Sequence, residues 1–155
     1  MKKVKDFMTR EVEVARPEMT IREAAEILRS MNIGSLPVCD GNRVVGIITD
    51  RDIAVRVVAE GKDCSQTRVE DAMSKDRIVA VNEDASIKEA EQKMHDEQLR
   101  RLPVVDSEGR LVGYLAQAKI ARMESSGQAG KVLKGISQPE KPESMESFSW
   151  KRKTA

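Results

Sequence analysis

The chain has 155 residues, enough for one ordinary domain or two small coupled halves, and with aromatics at 3% any core must be filled by aliphatic residues and methionine. A formal net charge of +1 at pH 7 offers no global attraction to nucleic acid or to a membrane surface. No apolar run reaches the ~18 residues of a membrane span, and Met1-Lys2-Lys3-Val4-Lys5-Asp6 lacks the apolar stretch of a signal peptide, so the cytoplasm is the expected location.

Asp6-Phe7-Met8-Thr9 reads as a short lead-in helix. Val12-Glu13-Val14 alternates and predicts a short strand, stopped by Pro17. Thr20 is a helix N-cap and Glu23 closes its capping box. Ile21, Ala24, Ala25, Leu28 and Met31 form the apolar stripe, and Gly34 stands where a left-handed residue ends the helix. Leu36 to Cys39 and Val44 to Thr49 are strands around the turn Asp40-Gly41-Asn42, a hairpin. Asp50 or Asp52 then starts a helix with Ile53, Ala54, Val57 and Val58 as its apolar residues, ended by Gly61.

The series then repeats at about 66 residues, the mark of an internal duplication. Asp71-Ala72-Met73-Ser74 is the second lead-in, and Ile78 to Val81 the second first strand. Ser86 caps and Glu89 closes the box; Ile87, Ala90 and Met94 form the stripe, extended by Leu99. Leu102 to Val105 and Leu111 to Ala116 form the second hairpin, followed by a helix carrying Ile120 and Met123. Neither half buries its sheet alone, so two halves packed sheet to sheet as one pseudo-twofold module are expected, of class α/β (α+β). The expected divisions are residues 1–62, 63–124 and a C-terminal extension, 125–155. In that extension Val132, Leu133 and Ile136 are expected to extend the last helix or to add a short one, and Pro139 to Ala155 to be flexible. Cys39 and Cys64 lack metal-site spacing; Cys39 reads as a reduced, half-buried thiol and His95 as exposed, and no metal is expected.

Gly34-Ser35-Leu36-Pro37-Val38 and Gly46-Ile47-Ile48-Thr49-Asp50-Arg51-Asp52-Ile53, with their second copies, resemble the CBS domain (named for cystathionine β-synthase) in a tandem pair. The resemblance covers roughly residues 3 to 124 and is nearest to the small stand-alone bacterial members of the family. It implies a disc-shaped module that commonly dimerises, binds adenine nucleotides or related ligands between its repeats, and regulates without catalysis.

The family's ribose signature, Thr/Ser-x-x-Asp, is present as Thr49-Asp50-Arg51-Asp52 and replaced by Ala116-Gln117-Ala118-Lys119 in the second copy. A carboxylate accepts hydrogen bonds from both ribose hydroxyls, and a threonine hydroxyl helps hold sugar or phosphate. Phosphate-gripping basic residues precede Leu102-Pro103 as Arg100-Arg101, whereas Gly34-Ser35 precede Leu36-Pro37. Carried over by position, the resemblance gathers Thr49, Asp52, Arg100 and Arg101 into one cleft. Arg51 lies within the signature and Lys119 at the rim, and the base lies against Ile47 and the strand from Val79 to Val81. It implies an adenine nucleotide, AMP or ATP foremost, at about one site per chain. It also implies a homodimer and an effector protein in trans.

Structural roles compete for the same residues. Asp50 and Asp52 suit a helix N-terminus, Arg100 and Arg101 a solvated helix end, and Pro37 and Pro103 the entry to a strand. A different function class also fits: a ligand-free scaffold recruiting partners through Phe148, Trp150 and Lys151-Arg152-Lys153. No nucleophile-base-acid set, Walker loop or dinucleotide fingerprint argues for an enzyme.

Overall fold

A computed structural model describes residues 1–123; the expected extension and its aromatic, basic tail lie outside the described residues. Helix α1, Ile21–Met31, starts at Thr20, whose Oγ1 accepts the Glu23 N–H while the Glu23 carboxylate accepts the Thr20 N–H at 2.7 Å. It ends at Asn32, not Gly34: Asn32 has φ 52°, and Gln98 takes the same φ at the equivalent position of the second repeat. Asparagine tolerates the left-handed region well enough to end a helix, which leaves Gly34 free for another use. Helix α4, Ile87–Asp96, receives the Ser86 cap as expected, but only its forward half, with Ser86 Oγ accepting the Glu89 N–H at 3.2 Å.

Strands β1, Ser35–Asp40, and β2, Arg43–Thr49, pair antiparallel around Gly41, which has φ +58°. β4, Arg101–Val105, and β5, Leu111–Ala116, repeat the hairpin, and both carry an irregularity at the same place, between Val38 and Cys39 and between Val104 and Val105. The strand expected over Val12 to Val14 is a single parallel bridge from Ala15 to Val38. Its counterpart, expected over Ile78 to Val81, is β3, Val81–Asn82, parallel to β4. Both are short because turns follow at once, around Pro17 and at Asn82.

After β2 the chain makes α2, Asp50–Ile53, then a π-turn over Ala54–Val58. The expected apolar face is therefore only half inward. Val57 is fully buried and Ile53 packs beside it, but Ala54 is exposed and Val58 is 67% exposed. Hydrogen bonding from Ala59 N–H to Ala54 O widens the turn and rotates these residues off the helical stripe. Cys39 is buried rather than half-buried. His95 is exposed, as expected.

Two cores form, one per repeat, and the lead-ins cross between them. The first core holds Ile21, Leu28, Leu36, Val38 and Ile48 together with Val69, Ala72 and Met73 of the second lead-in, whose helix α3 is Val69–Ala72. The second holds Val81, Ile87, Met94, Leu102, Val104, Leu115 and Ile120, the last on α5, Gln117–Met123, together with Val4, Phe7 and Met8 of the first lead-in. Packing thus crosses the boundary drawn between residues 62 and 63. Backbone bonds follow the same crossing: Val4 N–H to Ala85 O, Lys5 N–H to Glu83 O, and Thr9 paired both ways with Tyr114. In mirror image, Ile21 N–H reaches Thr67 O and Ser74 pairs both ways with Ile47. Gly46 and Gly113 allow this approach. A Cβ on Gly46 would lie 2.6 Å from Met73 Sδ and 3.0 Å from Ser74 O, and one on Gly113 would lie 2.6 Å from Met8 Sδ and 2.9 Å from Thr9 O.

Gly46→Ala and Gly113→Ala are each expected to lower unfolding stability by about 1–3 kcal/mol, read from urea midpoints, because backbone oxygen must move. Gly34→Ala, whose Cβ meets only the Asp50 carboxylate at 3.1 Å, is expected to cost under ~1 kcal/mol; equal losses at all three positions would contradict the crossing. Toward a thiol-reactive chromogenic disulfide, Cys64 is expected to titrate fast. Cys39, buried and with its thiol pKa pushed up by that burial, should react only in denaturant.

Candidate functional site

The β2–α2 junction is built by a second capping box. Thr49 Oγ1 accepts the Asp52 N–H at 3.0 Å and Asp52 Oδ2 accepts the Thr49 N–H at 3.0 Å, so the cap is Thr49 and neither aspartate. The other Asp52 oxygen, Oδ1, lies 3.9 Å from Arg56 Nη1, and the Asp52 side chain is 13% exposed. Arg56 itself donates to the carbonyls of Ala72 and Met73 at the end of the second lead-in. In the other repeat Lys119 does the same work, donating to Met8 O at 3.1 Å and lying 3.4 Å from Thr9 Oγ1. The residue standing where Asp52 stands in repeat 1 is thus bound to the lead-in of its own cleft.

Between the repeats lies a cleft of about 260 Å³. Thr9, Glu11, Val12, Glu13, Met31, Ile33, Ser35 and Pro37 line one side, and Arg101, Tyr114 and Ala116 the other. A hydrogen bond of 3.1 Å between Ser35 Oγ and Tyr114 Oη joins the two repeats there. Burial pushes the Tyr114 phenol upward, partly offset by the Ser35 bond and the Arg101 charge, so it stays protonated at neutral pH.

Strand register decides which expected residues meet. β1 and β2 set Ser35 opposite Thr49 and Pro37 opposite Ile47; β4 and β5 set Arg101 opposite Ala116 and Pro103 opposite Tyr114. Arg101 therefore lines the 260 Å³ cleft, whose lining includes neither Thr49 nor Asp52. Arg100, exposed, accepts the Gln117 N–H on its carbonyl, and Arg51 is exposed on α2. Ile47 and Thr49 are half-buried in β2. Val81 and Leu102 belong to the second core and Val79 packs against it, so their side chains serve the fold.

The duplication also relates this cleft to a twin. Ala15 and Val81 occupy equivalent bridges, so Glu13 corresponds to Val79, and the hairpins match Ser35 with Arg101, Tyr114 with Ile47 and Ala116 with Thr49. The residues expected around the ribose signature are thus twofold counterparts of residues lining the cleft. Glu11, Glu13 and Tyr114 were not anticipated as lining residues, although the same equivalence, applied to Val79 and Ile47, points to Glu13 and Tyr114.

Two segments, residues 4–59 and 69–125, match the family model of the CBS domain. The chain is 41% identical over 138 residues to the CBS domain-containing protein YhcV of Bacillus subtilis (strain 168), covering 88% of this chain and 96% of that protein. Over 140 residues it is 36% identical to hypoxic response protein 1 of Mycobacterium tuberculosis, covering 90% and 96%. The crystal structure of that protein, which has two coordinated zinc ions, aligns with a TM-score of 0.73 over 80% of this chain and 100% of that one. Among the described residues here, no group of three or more His, Cys, Asp or Glu is placed to hold a metal. CBSX2 of Arabidopsis thaliana in complex with AMP aligns at a TM-score of 0.68, with 27% identity, 79% of this chain and 95% of that one. The CBS domain pair of MJ0100, in complex with 5′-methylthioadenosine and S-adenosyl-L-methionine, aligns at 0.69, with 32% identity, 84% and 98%. Each of the two family-model matches falls on one copy of the internal repeat, and the chain belongs to the CBS-domain family, as a tandem pair.

Proposed function

We propose that this chain is a non-catalytic regulatory module that holds one adenine-containing ligand per chain between its repeats, with the ribose on Thr49 and Asp52. The observation that carries the reading is the state of Asp52. It is largely buried, its Oδ2 is used by its own cap, and its Oδ1 lies 3.9 Å from Arg56 Nη1. A charged acceptor held rigid beside a protein–protein-like seam is what a vicinal diol needs. AMP, 5′-methylthioadenosine and S-adenosyl-L-methionine, the ligands of the two similar structures, share adenosine and differ beyond it.

In this reading Ile47 and the chain around Val79 flank the base, Val81, Leu102 and Pro103 contribute backbone and shape, and Arg51 and Lys119 stand outside the ribose contact. AMP or ATP requires a phosphate partner as well, and Arg100 and Arg101 are the cations proposed for it. A ligand bridging the repeats biases their relative packing by its differential affinity for two arrangements. The output passes to a homodimer partner or to an effector protein in trans. No helix among the described residues is long and apolar enough to cross a membrane.

Calorimetry with adenosine, AMP, ATP, 5′-methylthioadenosine and S-adenosyl-L-methionine is expected to show about one site per chain for at least one of them. Asp52→Asn keeps an oxygen for the Thr49 N–H but halves the carboxylate, and is expected to weaken that binding at least ~10-fold. Thr49→Ala removes the cap and is expected to cost about 1 kcal/mol of stability as well. Two equal sites, or unchanged affinity in Asp52→Asn, would overturn the assignment.

A further inference from the structure

We infer that the cleft of about 260 Å³ is a second ligand site, built for a small zwitterion with an apolar side chain, an α-amino acid in chemical class. The inference is separate from the adenine reading above. Arg101 lines one wall of the cleft, and Glu11 and Glu13 line the other. Arg101 is half-buried, and among the described residues its guanidinium enters no ion pair and no side-chain hydrogen bond. Neither glutamate carboxylate has a partner among them either, so opposite charges line one cavity without pairing across it. A half-buried guanidinium without a counter-ion favours an anion that enters, and the two carboxylates opposite favour a cation. A ligand carrying both charges satisfies both walls. A phosphate dianion or a simple amine satisfies one wall and is repelled by the other.

Size and the remaining lining narrow the class. The volume lies just below the ~300 Å³ at which pockets for drug-sized ligands begin, which suits a molecule of amino-acid size. Val12, Met31, Ile33 and Pro37 give an apolar surface for its side chain. The Ser35–Tyr114 hydrogen bond crosses the cleft, close enough to Arg101 for that charge to act on the phenol. Whichever hydroxyl donates in that bond, the other keeps its own proton for a carboxylate oxygen held by Arg101. This cleft offers a ribose no acceptor: Ala116 stands where Thr49 stands, and Lys119, in the place of Asp52, donates to Met8 O at 3.1 Å. The Arg101 wall belongs to repeat 2, and the glutamates precede α1 of repeat 1. A bound zwitterion therefore ties the repeats together across the gap that the hydroxyl bond spans. Arg101 committed here leaves Arg100 as the phosphate cation of the adenine site.

The test is calorimetry on the full chain near neutral pH with L-leucine and L-methionine, then with the N-acetyl and amide forms of the tighter binder, which lack the ammonium and the carboxylate charge respectively. At least one of the two amino acids is expected to bind at one site per chain, and each blocked form at least ~10-fold more weakly. Arg101→Gln is expected to weaken the amino acid at least ~10-fold, and so is the double variant Glu11→Gln, Glu13→Gln. Both glutamates are exposed and outside the two cores, so the double variant keeps the fold, and it is expected to narrow the gap to the N-acetyl form. Saturating adenosine or AMP is expected not to displace the amino acid. Should neither amino acid bind, or should the blocked forms bind as tightly, the assignment falls, whatever nucleosides do at Thr49 and Asp52. Should adenosine or AMP displace the amino acid competitively, the two share one cleft, and this inference falls while the adenine reading stands.

Discussion

The fold rests on the approach of each lead-in to the glycine of the opposite hairpin. Thr9 and Tyr114 exchange both backbone hydrogen bonds above Gly113, and Ser74 and Ile47 do so above Gly46. In each case a methionine lies where a Cβ would be, so a long flexible side chain seals the core at the point where two backbones come closest. Without that approach the first core loses Val69, Ala72 and Met73, and the second loses Val4, Phe7 and Met8. Each core is completed by a segment that chain order places ahead of the other repeat.

The same crossing builds the clefts. Thr9 pairs with Tyr114, lines the cleft and lies against the ammonium of Lys119, so core, cleft and lead-in meet at one residue. On the twofold-related side Arg56 anchors the lead-in and leaves position 52 to an acid. The duplication could diverge at positions 52 and 119 because the anchoring task moved one turn along the helix in one copy. The acid stands in the copy where another residue, Arg56, ties down the lead-in.

Local chemistry was legible in the residues; non-local pairing was not. The capping box at Thr20, the Ser86 cap, the Leu-Pro-Val strands and the turn at Gly41 follow from groups within four residues of one another and appear as expected, save that Glu89 does not close the second box. Gly34 looked like the helix terminator because glycine accepts a positive φ most easily, yet Asn32 accepts it first. Val12 to Val14 alternates like a strand but finds a partner only at Ala15. The lead-ins were visible as Met8 and Met73, but which core each one seals depends on contacts across the chain; Gly46 and Gly113 were the available sign. Pairing within a hairpin, Ser35 opposite Thr49 and Arg101 opposite Ala116, follows from counting back from its turn. The Thr49 cap, in turn, uses the two residues, Thr49 and Asp52, that the resemblance marks for ribose.

Exchange of the lead-ins separates the order in which this chain is made from the order in which it can be buried. Residues Val4 to Met8 leave the ribosome about a hundred residues before the surface that receives them, which includes Leu102 and Leu115. Repeat 1 must likewise wait for Met73 before its core closes. Contacts this distant in sequence slow closure, and residues Val4 to Met8 stay exposed until Leu115 has been made. An N-terminal fusion or clip would therefore register as damage to the C-terminal half of the molecule.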